Sequence, residues 1–367
     1  MRKKIFFLSP GCYDRGGISR YNRYQIDAIR SFSGAILTPY SFRGPDYNPL
    51  DTTVNGVIAC CLKEPNKTQK LLFALSFLSD LWIQQPDIVI LAHINFNIIL
   101  PLIKLLCPRS KVFLNIYGLE VWSSKNRVTK CFKYLLAGVI SDCNNTANYF
   151  RMHMSYKSKL ITIWDCVDHR VFYPDSDDTL ESFPYVLSMG RLSWGAAHKG
   201  YIRLIDAFSE LVKYSPHIKL IIAGDGDMKN HLVKYCRTIL PPDSVYFPGY
   251  VTDRVYRKLL TNARVFSLVS ESGQNAGEGL PLTPLEAMAC GTPIVVGDQD
   301  GSKEAIQAKI GFAINPFDRS AHIKSLSYYL DMHPSEYLQL SALCRETSLK
   351  YFSYEQFSDK LYDALYY

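Results

Sequence analysis

The ten cysteines of this 367-residue chain form no Cys-x-x-Cys pair and no metal-ligand spacing. They read as reduced, mostly buried thiols, so a zinc site or disulfide framework is not expected. A secretory leader is not expected either. Arg2, Lys3 and Lys4 precede only Ile5 to Leu8 before Ser9-Pro10-Gly11, and a leader core needs about 7–15 apolar residues. The most apolar stretch, 87–107, carries His93, Asn95, Asn97, Pro101 and Lys104, which breaks the nearly unbroken run of about 20 that a membrane span requires. Neither G-x-G-x-x-G nor G-x-x-x-x-G-K-[ST] occurs, so the common dinucleotide and P-loop phosphate cradles are excluded. Low-complexity tracts and short-period repeats are absent too. At 47% hydrophobic and 20% charged residues, the composition excludes global disorder.

What is present suggests two domains, since a domain usually runs to about 100–200 residues. Lys and Arg exceed Asp and Glu by 41 − 34 = +7. The excess is lopsided: 22 − 12 = +10 over residues 1–175 and 19 − 22 = −3 over 176–367. The first half therefore suits an anionic partner. Strand patterns fall at 4–9, 88–92, 112–116 and 160–164, then at 185–189, 219–223, 264–268 and 293–296. Helical patterns at 19–31, 125–136, 201–213, 228–239 and 283–289 alternate with them. That alternation implies βαβ units and parallel sheets, an α/β class. The polar, acidic stretch 173–183 interrupts the pattern and reads as a linker. The expectation is two doubly wound, Rossmann-like domains facing a central cleft, with ligands at the carboxyl ends of the strands.

The densest chemistry lies in Gly277-Glu278-Gly279-Leu280-Pro281-Leu282-Thr283-Pro284-Leu285-Glu286. Thr283 to Glu286 reads as a capping box with Pro284 at the first helical position. Glu286 then either caps its own helix or serves a ligand. The helix start offers free N–H groups and a positive dipole end to an anion. Glu278, just before it, is electrostatically misplaced unless it binds hydroxyls or a cation. Two carboxylates beside a phosphate site suit a nucleotide sugar. Arg191 and Lys199 follow the first strand of the second half, an arrangement that suits a diphosphate; an ordinary solvated basic loop is the alternative. Gly16-Gly17 lets backbone approach a ligand after the first strand, or simply turns the chain. Gly224-Asp225-Gly226 reads as a turn.

Taken together these pieces resemble the retaining glycosyltransferases of family 4, which have the GT-B fold. The most specific block is Glu278 to Glu286, a Glu-x7-Glu motif within GEGLPLTPLEAMACGTPIV. GRLSWGAAHKGYIRLIDAF resembles the family's Arg…Lys-Gly phosphate motif, and LIIAGDG, VYFPGYV and DGSKEAI follow in family order. The Gly16-Gly17 loop, PDIVILAHIN, NIYGLEVW and Cys166-Val167-Asp168 match first-half blocks. The terminal FSYEQFSDKLYDAL resembles the helix that crosses back onto the first domain.

The resemblance implies an acceptor domain over 1–175, a donor domain over 176–351 and a returning helix over 352–367. It implies transfer of a hexose with retention, without metal or other cofactor. Arg191 and Lys199 would bind the donor diphosphate, aided by backbone at Gly279, Leu280, Leu282, Thr283 and Gly17. Glu278 would hold the transferred sugar, Glu286 the ribose, and Val251 the base. Glu278, Arg191 and Lys199 would carry catalysis, with His93, Tyr117 and Glu120 on the reacting-sugar or acceptor side. UDP-glucose is the first expected donor and GDP-mannose the second. The expected acceptor is a lipid-linked or polysaccharide chain of bacterial surface biosynthesis, met at the inner face of the cytoplasmic membrane by a peripheral, cytoplasmic protein. No nucleic-acid partner is expected. Three departures stand out: Leu280-Pro281 replaces the family's usual Phe-Gly, Tyr117 stands where His is usual, and Trp164-Asp165 where Pro-Asn is common. Pro281 removes one N–H from the phosphate site. A nucleotide-sugar-binding scaffold and a GT-B sugar-nucleotide epimerase are the competing readings.

Overall fold

The computed structural model describes residues 2–13, 16–45, 56–60, 64–122, 127–174, 183–273 and 276–367. The chain divides into two compact units, one of Met1–Asp165 with Glu355–Tyr367, the other of Cys166–Tyr354. The division precedes the sequence boundary at 175/176. Most of the expected linker, 175–182, lies outside the described residues. Residues before it already belong to the second unit: Val167 N–H donates to the Phe352 carbonyl at 2.9 Å, and Phe172 packs edge-on against Tyr256.

The first unit holds seven parallel strands: β1 Lys3–Ser9, β2 Ala35–Ser41, β3 Ile58–Ala59, β4 Ile88–Leu91, β5 Lys111–Ile116, β6 Gly138–Ser141 and β7 Leu160–Thr162. Their order is β3-β2-β1-β4-β5-β6-β7. The central strands read as unbroken apolar runs because a parallel sheet is covered on both faces; all four residues of β4 are buried. Strand β7 stops at Thr162, short of the expected 164. Helix α1, Gly17–Ser31, starts two residues earlier than expected. Helix α2, Lys67–Gln84, and helix α3, Leu100–Leu106, pack side by side. The amphipathic pattern at 125–136 becomes a short helix, Arg127–Phe132, and a 3-10 turn, Lys133–Leu135. Residues 125 and 126 lie outside the described residues. The terminal helix Tyr354–Tyr366 lies on this unit. Phe357 meets Tyr21 edge-on at 5.4 Å, Tyr362 meets Phe32 at 5.1 Å, and Lys3 Nζ sits 4.0 Å above the Tyr366 ring.

The second unit holds six parallel strands: β8 Tyr185–Met189, β9 Lys219–Ala223, β10 Val245–Gly249, β11 Val265–Leu268, β12 Ile294–Gly297 and β13 Gly311–Ile314. Their order is β10-β9-β8-β11-β12-β13. Winding reverses between β8 and β11, and in such sheets ligands bind beyond the carboxyl ends at that reversal. The loops after β8, β11 and β12 carry the sequence motifs.

Candidate active site

Strand β8 ends at Met189, and Gly190-Arg191-Leu192 turns out of the sheet. A second turn, Gly224-Asp225-Gly226, locks it in place. Gly190 N–H donates to the Ala223 carbonyl at 3.1 Å and Leu192 N–H to the Asp225 carbonyl at 3.0 Å. A Cβ at Gly224, whose φ is +129°, would lie 1.9 Å from the Gly190 carbonyl oxygen. The Gly224 turn is therefore the foundation of the Arg191 turn. The Arg191 side chain is exposed and has no hydrogen bond or ion pair among the described residues.

A 3-10 turn, Trp194–Lys199, leads to Gly200, which caps helix Tyr201–Tyr214 with φ +79°. A Cβ at Gly200 would meet the Val269 carbonyl at 2.4 Å, so glycine allows the loop after β11 to close over it. This packing brings Lys199 to Glu278. Lys199 Nζ lies 2.6 Å from Glu278 Oε1. His198 Nε2 donates to the same oxygen at 2.9 Å, and the ring is 8% exposed. Burial raises the Glu278 pKa, but the Lys199 charge and the His198 hydrogen bond outweigh it and hold the carboxyl down at about 2. Both donors share Oε1, and Oε2 has no hydrogen-bond partner among the described residues.

The main chain of Glu278 is fixed from behind by Asp300, which is fully buried. Asp300 Oδ2 accepts from Glu278 N–H at 2.9 Å and from Ser270 Oγ at 2.7 Å. Its Oδ1 accepts from Ser302 N–H at 3.0 Å, and Gly301 N–H donates to the Glu278 carbonyl at 3.1 Å. His198 and Asp300 were not among the sequence candidates. Both carried a signal: His198 is adjacent to Lys199, and Asp300-Gly301-Ser302 has the spacing of an Asx turn.

The expected capping box is not formed. The helix runs Leu282–Ala289, its N-cap is Pro281, and no side chain caps it. Pro281 in extended backbone lets the helix begin one residue before Thr283, so the Thr283 side chain sits inside the first turn and cannot cap it. Glu286 is consequently not a capping partner; it is buried within the helix and its charge, after burial, helps push the Cys290 thiol up to about 12. The N–H groups of Leu282 and Thr283 head the helix, as an anion site requires. Leu280 and Val251 are buried and Gly279 partly exposed.

In the first unit, helix α1 begins at Gly17 with no side-chain cap, and a Cβ there would meet no atom within 4 Å. Among the described residues, none fills the space beside this helix start. His93, Tyr117 and Glu120 are neighbours. His93 Nδ1 accepts from Asn95 N–H at 3.2 Å, which leaves the neutral ring's proton on Nε2. Burial lowers the His93 pKa, and the Glu120 charge opposes the shift. Glu120 Oε1 accepts from Tyr117 N–H at 2.5 Å. The Tyr117 hydroxyl points inward. It donates to Asn22 Oδ1 at 3.0 Å, while Asn22 Nδ2 donates to the Gly11 carbonyl at 2.8 Å. Burial drives the Tyr117 pKa up, so this hydroxyl is a neutral link between α1 and β5. Among the described residues no His, Cys, Asp or Glu group could hold a metal ion, and no helix is long and apolar enough to cross a membrane.

Residues 174–341 match the family model described as glycosyl transferases group 1. The mannosylfructose-phosphate synthase of Agrobacterium fabrum is 32% identical over 169 residues, 41% of this chain and 36% of that one. The alpha-monoglucosyldiacylglycerol synthase of Streptococcus pneumoniae is 30% identical over 110 residues, 30% of this chain and 23% of that one. The chain thus spans well under half the length of these curated relatives. The solved structure of HepE from Anabaena, in complex with UDP and glucose, superimposes with a TM-score of 0.77 at 16% identity over 99% of both chains. Over residues 174–341 the chain is thus similar to the glycosyl transferases group 1 family, and its two parallel-sheet units have the GT-B fold.

Proposed function

We propose that the chain is a retaining glycosyltransferase that moves a hexose from a nucleotide sugar to a lipid-linked or polysaccharide acceptor of bacterial surface biosynthesis. The observation that carries this reading is the Lys199–Glu278–His198 cluster beside an uncapped helix start and an unpaired Arg191. Arg191, Lys199 and the N–H groups of Leu282 and Thr283 neutralise the donor diphosphate, the task a divalent ion has elsewhere. Glu278 Oε2 receives hydroxyls of the hexose, Glu286 the ribose, and backbone at Val251 the base. The bond from C1 to the leaving phosphate oxygen breaks as the acceptor oxygen bonds to C1 on the same face. The acceptor proton passes to the leaving phosphate. UDP-glucose is the first donor proposed and GDP-mannose the second. The UDP and glucose bound by HepE support the first choice. The name of the diacylglycerol-glycolipid synthase supports a lipid acceptor, and with it a peripheral place at the inner face of the cytoplasmic membrane.

Purified protein incubated with UDP-glucose or GDP-mannose, without acceptor, tests the reading. Slow release of free sugar, with the α-anomer formed first by NMR, is the expected result. Nucleotide binding by thermal shift with no sugar release from any donor, with or without lipid acceptors, would favour the scaffold reading that Tyr117 raises. Conversion to an isomeric nucleotide sugar would make the protein an epimerase.

A further inference from the structure

Helix α2 is apolar on two opposite sides. Phe73, Phe77 and Leu81 face the core and are buried. At 100° per residue, Leu71, Leu72, Leu75, Trp82 and Ile83 fall on the other side, within an arc of about 120°. All five are exposed, Trp82 at 64% and Ile83 at 71%. The three charged residues of this helix, Lys67, Lys70 and Asp80, lie off that arc. A helix apolar all round is ordinarily enclosed or lipid-facing, and this one is neither enclosed nor long and apolar enough to span. The surface continues onto the neighbouring helix. Cys107 Sγ donates to the Leu81 carbonyl at 3.0 Å and Gln85 Nε2 to the Leu106 carbonyl at 3.0 Å, which joins α2 to the end of α3. There Leu105 is 74% exposed, and Ile98 and Leu102 are exposed beside it.

Among the described residues, cations outnumber acids around this surface, although Glu64 stands exposed just before α2. Asp80 turns away to accept from the Tyr40 hydroxyl at 2.8 Å. Lys67 and Lys70 stand exposed at the start of α2. Residues 94–106 contain Lys104 and no acid, and 127–136 contain Arg127, Lys130 and Lys133 and no acid. Asn97 Nδ2 donates to Thr129 Oγ1 at 2.8 Å, which seats the Arg127–Phe132 helix next to this surface. Lys133 donates to the Met154 and Ser155 carbonyls and is directed inward, whereas Arg127 and Lys130 remain exposed.

We infer that the α2–α3 face docks on an anionic lipid bilayer, with Trp82, Ile83 and Leu105 entering the headgroup–acyl boundary and the flanking cations meeting lipid phosphates. The faces of amphipathic helices sink about 5–10 Å into that boundary, and each nearby Lys or Arg adds attraction to an anionic surface. A bilayer fits better than a protein partner because the surface is an array of separate apolar side chains along two helices, edged by Lys67, Lys70, Arg127 and Lys130 against the single exposed acid Glu64. The inference deepens the membrane-facing part of the proposed function by naming the surface involved.

Co-sedimentation with sucrose-loaded vesicles, in the absence of any sugar donor, tests it. Vesicles of phosphatidylcholine with phosphatidylglycerol should retain the protein, and pure phosphatidylcholine or high salt should release most of it. The triple variant Leu75→Ser/Trp82→Ser/Leu105→Ser should lose binding by roughly 100-fold and keep the wild-type melting temperature, since all three side chains are exposed. Wild-type tryptophan emission should shift to the blue on anionic vesicles and be quenched by brominated acyl chains; both responses should vanish in Trp82→Phe. Absence of vesicle binding, or equal binding by the triple variant, would overturn the inference. So would a concentration-dependent dimer in sedimentation velocity that the triple variant abolishes, because the occupant would then be a second copy. Vesicle binding by protein that releases no sugar would leave this surface standing and count against the proposed catalysis.

Discussion

Lys199 and Glu278 are separated by 79 residues, yet Nζ and Oε1 stand 2.6 Å apart. Sequence reasoning sends the lysine to phosphate and the carboxylate to sugar. The two are in fact bonded to each other. On the proposed function, donor binding would require an exchange: the diphosphate would take up the lysine, and the carboxylate would turn to hydroxyls.

Removing either member should stop transfer by different routes. Lys199→Ala should lower donor hydrolysis by roughly 100-fold and weaken binding of free nucleoside diphosphate, because the cation facing the leaving diphosphate is lost. Glu278→Ala should lower hydrolysis to a similar degree and leave nucleotide affinity close to wild type. Steady-state hydrolysis and nucleotide titration distinguish them; near wild-type turnover in both would remove them from the site.

On the proposed function, His198 would keep hold of the carboxylate when Lys199 leaves, since it bonds Oε1 independently. His198→Ala should reduce kcat about tenfold, the scale of a hydrogen bond to a charged group, with nucleotide affinity unchanged. His198→Gln, which keeps an N–H donor, should recover most of the loss. A general packing defect would not be rescued in that way.

Asp300 is buried and accepts three hydrogen bonds that shape the Glu278 loop. Asp300→Ala should destabilise the fold by about 2–4 kcal/mol, because buried donors lose their acceptor. Urea unfolding checks this value, with Asp300→Asn expected to lie between wild type and alanine.

Acid should weaken the protein in two windows. The Glu278 carboxyl lies at about 2 when folded against an ordinary 4.5. Its contribution, on the order of 3 kcal/mol, is complete above about pH 4.5 and declines as pH falls toward 2. His322 is buried, shares a hydrogen bond of 3.0 Å between its Nε2 and Ser267 Oγ, and is lowered from 6.5 to about 4. Burial keeps it neutral, with the Arg203 charge adding to the effect, so protonation of the unfolded chain costs stability from pH 6.5 down to about 4. Urea midpoints should show Glu278→Gln flattening the lower window and His322→Gln the upper.

The sheet strands with long apolar runs were legible because burial on both faces leaves a mark on every residue. Strands β8 and β9 coincide with the ranges read from sequence. Others left too faint a mark: β2 is interrupted by Pro39, and β6 has only Gly138 to Ser141. Helix α2 escaped notice because its second apolar face erases the alternation of polar and apolar sides that reveals a helix. Arg191, Lys199 and Glu278 were legible as residue types at a spacing. That Lys199 and Glu278 bond to each other, and that Asp300 supports the loop, depends on contacts across many residues. The capping box failed for a local reason: Pro281 takes the N-cap position, so Thr283 falls within the first turn.

The terminal helix on the first unit has a consequence for synthesis. The segment Glu355–Tyr367 emerges from the ribosome only after the whole of Cys166–Tyr354. Domains usually fold in the order of their synthesis, and here that order is partly inverted. Until Phe357 and Tyr362 arrive, Tyr21 keeps Tyr117 but lacks Phe357, and Phe32 lacks Tyr362. The unit whose translation starts first is therefore completed only after the last residue of the second unit has been made.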